Sequence, residues 1–150
     1  MSAIAAKNAI GQDAAPSSRA SSDRLSGVSV LLVDDDFDAR QLIRTALQRE
    51  GAAVTAVESA PLALAELETR RPDIVVTDIA MPLMDGYSLT RQIRDTPKLR
   101  DLKVVALTAF PSGRAAAKQG GFDEYLMKPI DPFALVDVLV RVHGTPRSAR

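Results

Sequence analysis

Four apolar runs in this chain each end in a polar residue able to do chemistry. Val28 to Val33 runs into Asp34-Asp35, Ile74-Val75-Val76-Thr77 into Asp78, Val104 to Leu107 into Thr108, and Tyr125-Leu126-Met127 into Lys128. Clustered carboxylates repel one another, and their pKa values rise unless a cation intervenes. A hard divalent ion, Mg²⁺ or Mn²⁺, answers that repulsion: it takes one or two carboxylates, keeps several waters and leaves places for phosphoryl oxygens. An aspartate in the position of Asp78 can then attack phosphorus and form an acyl phosphate, the metal neutralising the incoming charge. A hydroxyl at Thr108 can donate to a phosphoryl oxygen, and an ammonium at Lys128 can bridge Asp78 and that oxygen as a point charge. Each residue alone has a plainer reading. The acids Asp34 to Asp36 could all cap a helix, Asp78 could cap its own loop, Thr108 could bond its own backbone, and Lys128 could sit on the surface. Their fall at the same end of four different strands is what argues for one site.

The elements that must position these groups are legible from spacing. Strands are expected at about 28–33, 52–57, 73–77, 103–107 and 123–127. Between them lie helical patterns. Ala39, Leu42, Ile43, Ala46 and Leu47 form one helix face ending at Gly51, a glycine suited to a left-handed helix stop. Ala60, Ala63, Leu64 and Leu67 repeat the pattern after Ser59, with Pro61 in the first turn. Leu89 and Ile93 face inward on a third helix, a short Ala-rich helix falls at about 114–119, and Asp131-Pro132 starts a last one through Leu135, Leu139 and Val142. Asp36 reads as an N-cap or first-turn acid of the first helix, so at most two of the three acids face one crevice. Pro82 and Gly86 place a turn after Asp78, and Lys128 precedes Pro129, where a cis peptide would aim the lysine inward. Strict alternation of five strands and five helices implies an α/β fold. Its five-stranded parallel sheet is doubly wound and flavodoxin-like, in order 2-1-3-4-5, with ligands at the carboxyl ends of the strands.

Composition narrows the function classes. The 150 residues suffice for one domain with a real core, and nineteen basic against nineteen acidic residues leave no electrostatic footprint for nucleic acid or an anionic membrane. With no cysteine and one histidine, His143, thiolate zinc sites and imidazole clusters are excluded, so any metal sits among oxygens. No apolar run approaches a membrane span, and Ala3-Ile4-Ala5-Ala6, cut off by Lys7, is no signal-peptide core. A soluble cytoplasmic protein is the expectation. Residues 1–27, rich in Ala and Ser, read as a flexible leader, 28–143 as the folded domain and 144–150 as a C-terminal tail.

Val33-Asp34-Asp35, Asp78 with Met81-Pro82 and Met84-Asp85-Gly86, Leu107-Thr108-Ala109 and Lys128-Pro129 together resemble the receiver domain of two-component response regulators. The match covers about 28–143, in the family's order and approximate spacing. The resemblance implies that Asp78 takes a phosphoryl group from a phosphohistidine on a histidine kinase or a histidine phosphotransfer protein. It implies Mg²⁺ held by Asp35, Asp78 and the backbone carbonyl of Ala80, with Asp34 acting largely through water. It makes Thr108 and Tyr125 switch residues, Tyr125 swinging from exposed to buried as a protein-interaction surface changes state. Ala80 and Phe110, two residues after Asp78 and Thr108, flank the path of hydrolytic water, and the aromatic at 110 is expected to lengthen the phosphoaspartate's life. The interval from Thr108 to Tyr125 is shorter than the family commonly has, which singles out the fourth helix as the departure.

Two other readings compete. Asp34-Asp35-Asp36 after an apolar strand also fits the opening of haloacid-dehalogenase-like phosphatases. However, Asp38 stands where that family usually has Thr or Val, no acidic pair ends a strand after Lys128, and the loop after Asp78 goes unexplained. A receiver-like adaptor working without phosphorylation would lack a site residue, and none is lacking. A flavin-binding module of the same fold would want a hydroxyl- or glycine-rich phosphate loop where acids stand. The last helix also carries Phe133, Val136 and Val140 beyond its core stripe, which reads either as a docking or dimer surface or as a stripe packed under the tail.

Overall fold

The computed structural model describes residues 23–109 and 119–145. Five parallel strands form one sheet: β1 (Ser29–Val33), β2 (Ala53–Val57), β3 (Ile74–Asp78), β4 (Lys103–Thr108) and β5 (Glu124–Met127), in the order β2-β1-β3-β4-β5. This is the expected 2-1-3-4-5 order. The central strands are covered on both faces, so β1, β3 and β4 read as continuous apolar runs instead of alternating ones.

Helices α1 (Phe37–Arg49), α2 (Ala60–Thr69), α3 (Gly86–Asp95) and α4 (Pro132–His143) flank the sheet. The period of two along β1 sorts its side chains between two cores. Val30 and Leu32 join Ile43 and Leu47 of α1 and Leu135 and Leu139 of α4. Leu31 and Val33 join Ala63 and Leu67 of α2 and Leu89 and Ile93 of α3. The helix expected at 114–119 falls almost wholly outside the described residues.

Each of the four described strand-to-helix junctions at the carboxyl end of the sheet is closed by a capping side chain, which keeps the loops short. Asp36 accepts from the backbone N–H of Asp38 and Ala39, Ser59 from Leu62, Asp85 from Ser88, and Asp131 from Phe133. Gly51, after α1, takes φ +94°, the left-handed stop its type allows. The start of β5, and through it Lys128, is tied down by Arg94. Its guanidinium donates to the carbonyls of Gly121 and Leu102 and to the Asp123 carboxylate.

The structure departs from the pattern reading in three places. Leu25, inside the expected leader, is only 1% exposed in the α1/α4 core. Its N–H donates to the Glu50 carbonyl at 2.8 Å, and Arg24 pairs with Asp137 of α4 at 2.7 Å. A lone leucine among polar residues has no period to betray it. Leu42, assigned to the inner face of α1, is 56% exposed, since the buried stripe narrows to Ile43 and Leu47. On α4, Val136 is buried and Val140 half-buried against the same core, because this helix packs on α1 as well as on the sheet. Of the surplus apolar width read from its sequence, Phe133 alone is exposed. Among the described residues no helix is long and apolar enough to cross a membrane.

Candidate functional site

The turn after β1 is built around Asp34. Its N–H still reaches the Val57 carbonyl at 3.2 Å, one rung past the strand, and its side chain is fully buried. One carboxylate oxygen accepts from the Asp36 N–H at 2.9 Å, and the other faces the Lys128 Nζ at 3.2 Å. Asp35 follows, exposed at the rim.

Asp78 closes β3 in register with Leu107 of β4 and is 5% exposed. Two neighbours fix its backbone. Thr77 Oγ1 donates to the Asp78 carbonyl at 2.9 Å, and the Ile79 N–H donates to the Leu107 carbonyl at 2.9 Å. Gly86 is needed beneath it for space, not for backbone freedom. A Cβ there would lie 2.6 Å from the Asp78 carbonyl oxygen, and the Gly86 N–H donates to Ile79 O at 2.8 Å. The tip of this loop carries Leu83 at φ +73°, almost fully exposed.

Lys128 enters from the end of β5. Its N–H donates to the Thr108 carbonyl at 2.7 Å, the Lys128–Pro129 peptide is cis, and Nζ stands 3.2 Å from both the Asp34 and the Asp78 carboxylates. Thr108, 2% exposed, ends β4 opposite Met127. Tyr125 is half-buried against the α2/α3 core, and Ala80 is exposed two residues past Asp78. Phe110 lies outside the described residues.

Among the described residues the site is therefore an acidic pocket in which the Lys128 ammonium pairs with two of the carboxylates. Asp34, Asp35 and Asp78 each offer a carboxylate oxygen, and these lie within 4.8 Å of one another. Burial raises the Asp78 carboxyl above its ordinary value of 3.8 against the pull of Lys128, and the charges of Asp34 and Asp35 add to the rise. Burial alone would lower the Lys128 ammonium, but Asp34 and Asp78 override it and hold it above 10.5. With two carboxylates buried and one at the rim, the donor set suits a hard, oxygen-seeking cation entering from solvent.

Two contributors have no signature in the sequence pattern. Gly86 reads there as a turn former, whereas its task is to let α3 approach Asp78. Arg40, three residues into α1, turns its guanidinium back to the Asp34 carbonyl at 2.7 Å while lying 5.4 Å from the centroid of the Phe37 ring.

The fold and this pocket define a phosphoacceptor module of the two-component type. Residues 30–140 match the response regulator receiver domain, and the chain belongs to that family. It is 45% identical over 114 residues to a 14.6 kDa protein of the sodA1 3′ region of Leptolyngbya boryana, covering 75% of this chain and 87% of that one. It is 38% identical over 122 residues to response regulator MprA of Mycobacterium sp. (strain KMS), covering 80% of this chain but 51% of that relative. The chain thus spans about half the length of MprA. Among solved structures it resembles the receiver domain of the sensor histidine kinase PA1611 of Pseudomonas aeruginosa PAO1, which has a magnesium ion coordinated in its active-site cleft. That likeness has a TM-score of 0.73 and 33% identity, and covers 80% of this chain and all of the other. Nothing in the fold or these relatives favours a phosphatase or a phosphorylation-independent adaptor.

Proposed function

We propose that Asp78 is the phosphoacceptor of this receiver and that its side chains catalyse their own phosphorylation and a slow dephosphorylation. One observation carries the reading: three carboxylates converge within 4.8 Å around a buried aspartate, with a lysine 3.2 Å from two of them. As an Asp78 carboxylate oxygen bonds to phosphorus, the phosphorus–nitrogen bond of the donor phosphohistidine breaks, and the departing imidazole is left to take a proton from solvent. Asp35, Asp78 and the Ala80 carbonyl would hold Mg²⁺, or Mn²⁺, with Asp34 acting through water; the bound ion supplies charge neutralisation at the phosphoryl oxygens. Lys128, kept protonated by its two acids, offers a further positive charge to the incoming group. Thr108 closes on the new phosphoryl oxygen, and Tyr125 moves with it from half-buried to buried.

The donor is a histidine kinase or a histidine phosphotransfer protein, and the receiver of the signal is another protein, not nucleic acid or membrane. Work in the cytoplasm follows from that donor chemistry. The domain begins at the Leu25 turn, before β1, and a dimer through α4 would rest on Phe133, since Val136 and Val140 are committed to the core. The direct test is intact-mass spectrometry after incubation with acetyl phosphate and Mg²⁺. Wild type gains one phosphate and Asp78→Asn gains none; phosphate retained on the variant overturns the assignment.

A further inference from the structure

The loop that presents the acids is bonded at nearly every point. The Asp34 N–H is held by Val57, one Asp34 carboxylate oxygen by the Asp36 N–H, and the Asp36 carboxylate by the N–H groups of Asp38 and Ala39. Asp35 is different. Among the described residues its carboxylate accepts no hydrogen bond, so its aim is set by the backbone that carries it. That backbone is the planar peptide unit whose oxygen is Asp34 O and whose nitrogen belongs to Asp35. Arg40 holds that oxygen at 2.7 Å, and the guanidinium is itself steadied over the Phe37 ring at 5.4 Å.

We propose that Arg40 is a positioning residue for the divalent cation: by fixing the Asp34–Asp35 peptide plane it aims the Asp35 carboxylate at Asp78. The proposal rests on the reading that Asp34, Asp35 and Asp78 hold such an ion. Arg40 touches neither the ion nor the phosphoryl group. Its two conceivable effects on the site have opposite signs. As a nearby positive charge it repels a cation, and removing it would tighten binding. As the clamp on Asp35 it favours the cation, and removing it weakens binding, by about tenfold or more where an outer partner orients a ligand.

The experiment titrates Mn²⁺ alone, followed by electron paramagnetic resonance, into wild type, Arg40→Lys and Arg40→Met at constant ionic strength, with circular dichroism reporting the fold. Arg40→Lys keeps the charge but loses the planar fork that both donates and stacks, so its Mn²⁺ affinity should fall. Arg40→Met should bind about tenfold more weakly than wild type. In acetyl phosphate assays the half-saturating Mg²⁺ concentration should rise in the same order while the rate at saturating Mg²⁺ stays near the wild-type value. Mn²⁺ binding that is unchanged in Arg40→Lys, and unchanged or tighter in Arg40→Met, overturns the proposal. Should Arg40→Met fail to fold, Arg40→Lys decides alone, since only geometry separates it from wild type. A wild-type protein that binds no Mn²⁺ would instead sink the cation reading beneath it.

Discussion

Asp78→Asn should make the protein more stable when no divalent cation is present, because the pocket charges a folding cost for an ionised aspartate. At an effective dielectric of about 20, Asp34, no more than 4.8 Å away, repels Asp78 by at least about 3.5 kcal/mol. Lys128, at 3.2 Å, attracts it by about 5 kcal/mol on the same scale. Asp35 adds a repulsion that solvent at the rim screens. The charge terms nearly cancel, so desolvation of a carboxylate that is 5% exposed decides the sign, as the raised pKa also indicates. Asparagine avoids that desolvation and can still accept from Lys128, which keeps Asp34 as its ionic partner, for a gain of about 1–3 kcal/mol. A raised folded-state pKa means the native protein binds the proton more tightly than the unfolded chain. The cost of ionising Asp78 is therefore absent below its ordinary value of 3.8 and complete above the raised folded value. The stability gap between variant and wild type should open with rising pH across that window and then stay level. Added Mg²⁺ should stabilise wild type by mass action, about 2.7 kcal/mol at a hundredfold excess over Kd, and the variant, short of one ligand, by less. Urea melts of both proteins over pH, with and without Mg²⁺, provide the measurement. A variant less stable than wild type near neutral pH without Mg²⁺, or a gap indifferent to pH, would refute the reasoning.

Gly86→Ala drives a methyl group to 2.6 Å from the Asp78 carbonyl and 3.0 Å from Ile79 Cα, backbone atoms with little room to yield. It should cost about 1–3 kcal/mol in a denaturant melt and slow phosphorylation by acetyl phosphate, since Asp78 must shift. Leu25→Ala should cost about 2–4 kcal/mol by the same melts, whereas Arg24→Ala, which breaks an exposed ion pair, should cost about 0.5 kcal/mol or less. Phe110→Glu should speed loss of phosphate from the phosphorylated protein, and an unchanged rate would discard the screening role given to that aromatic.

The site was legible because its groups sit where period-two strands run out. Asp34, Asp78, Thr108 and Lys128 each follow a largely apolar run, broken only by Ser29 and Thr77, and neighbouring parallel strands end at one edge of the sheet. The caps Asp36, Ser59 and Asp131 were legible for a related reason, since a helix start needs an acceptor for its free N–H groups. What stayed hidden acts through backbone contacts between distant segments. Arg40 binds a carbonyl, a partner every residue possesses, so no residue type marks the pairing. Gly86 is required because α3 runs close under Asp78, which only the assembled layers reveal. The breadth of the α4 stripe was visible, but whether it meant a partner or a second packing face depended on how α1 lies against it.

Leu25 gives the molecule a mechanical property that the strand-end chemistry does not. The polypeptide arrives at the sheet through a turn gripped at Glu50, at the end of α1, and at Asp137, midway along α4, with the leucine wedged into the layer these helices share. A pull on this turn is therefore shared with α1 and α4 before it reaches β1. The buried leucine, not the exposed Arg24–Asp137 pair, holds this turn in the layer next to the helix that follows Lys128.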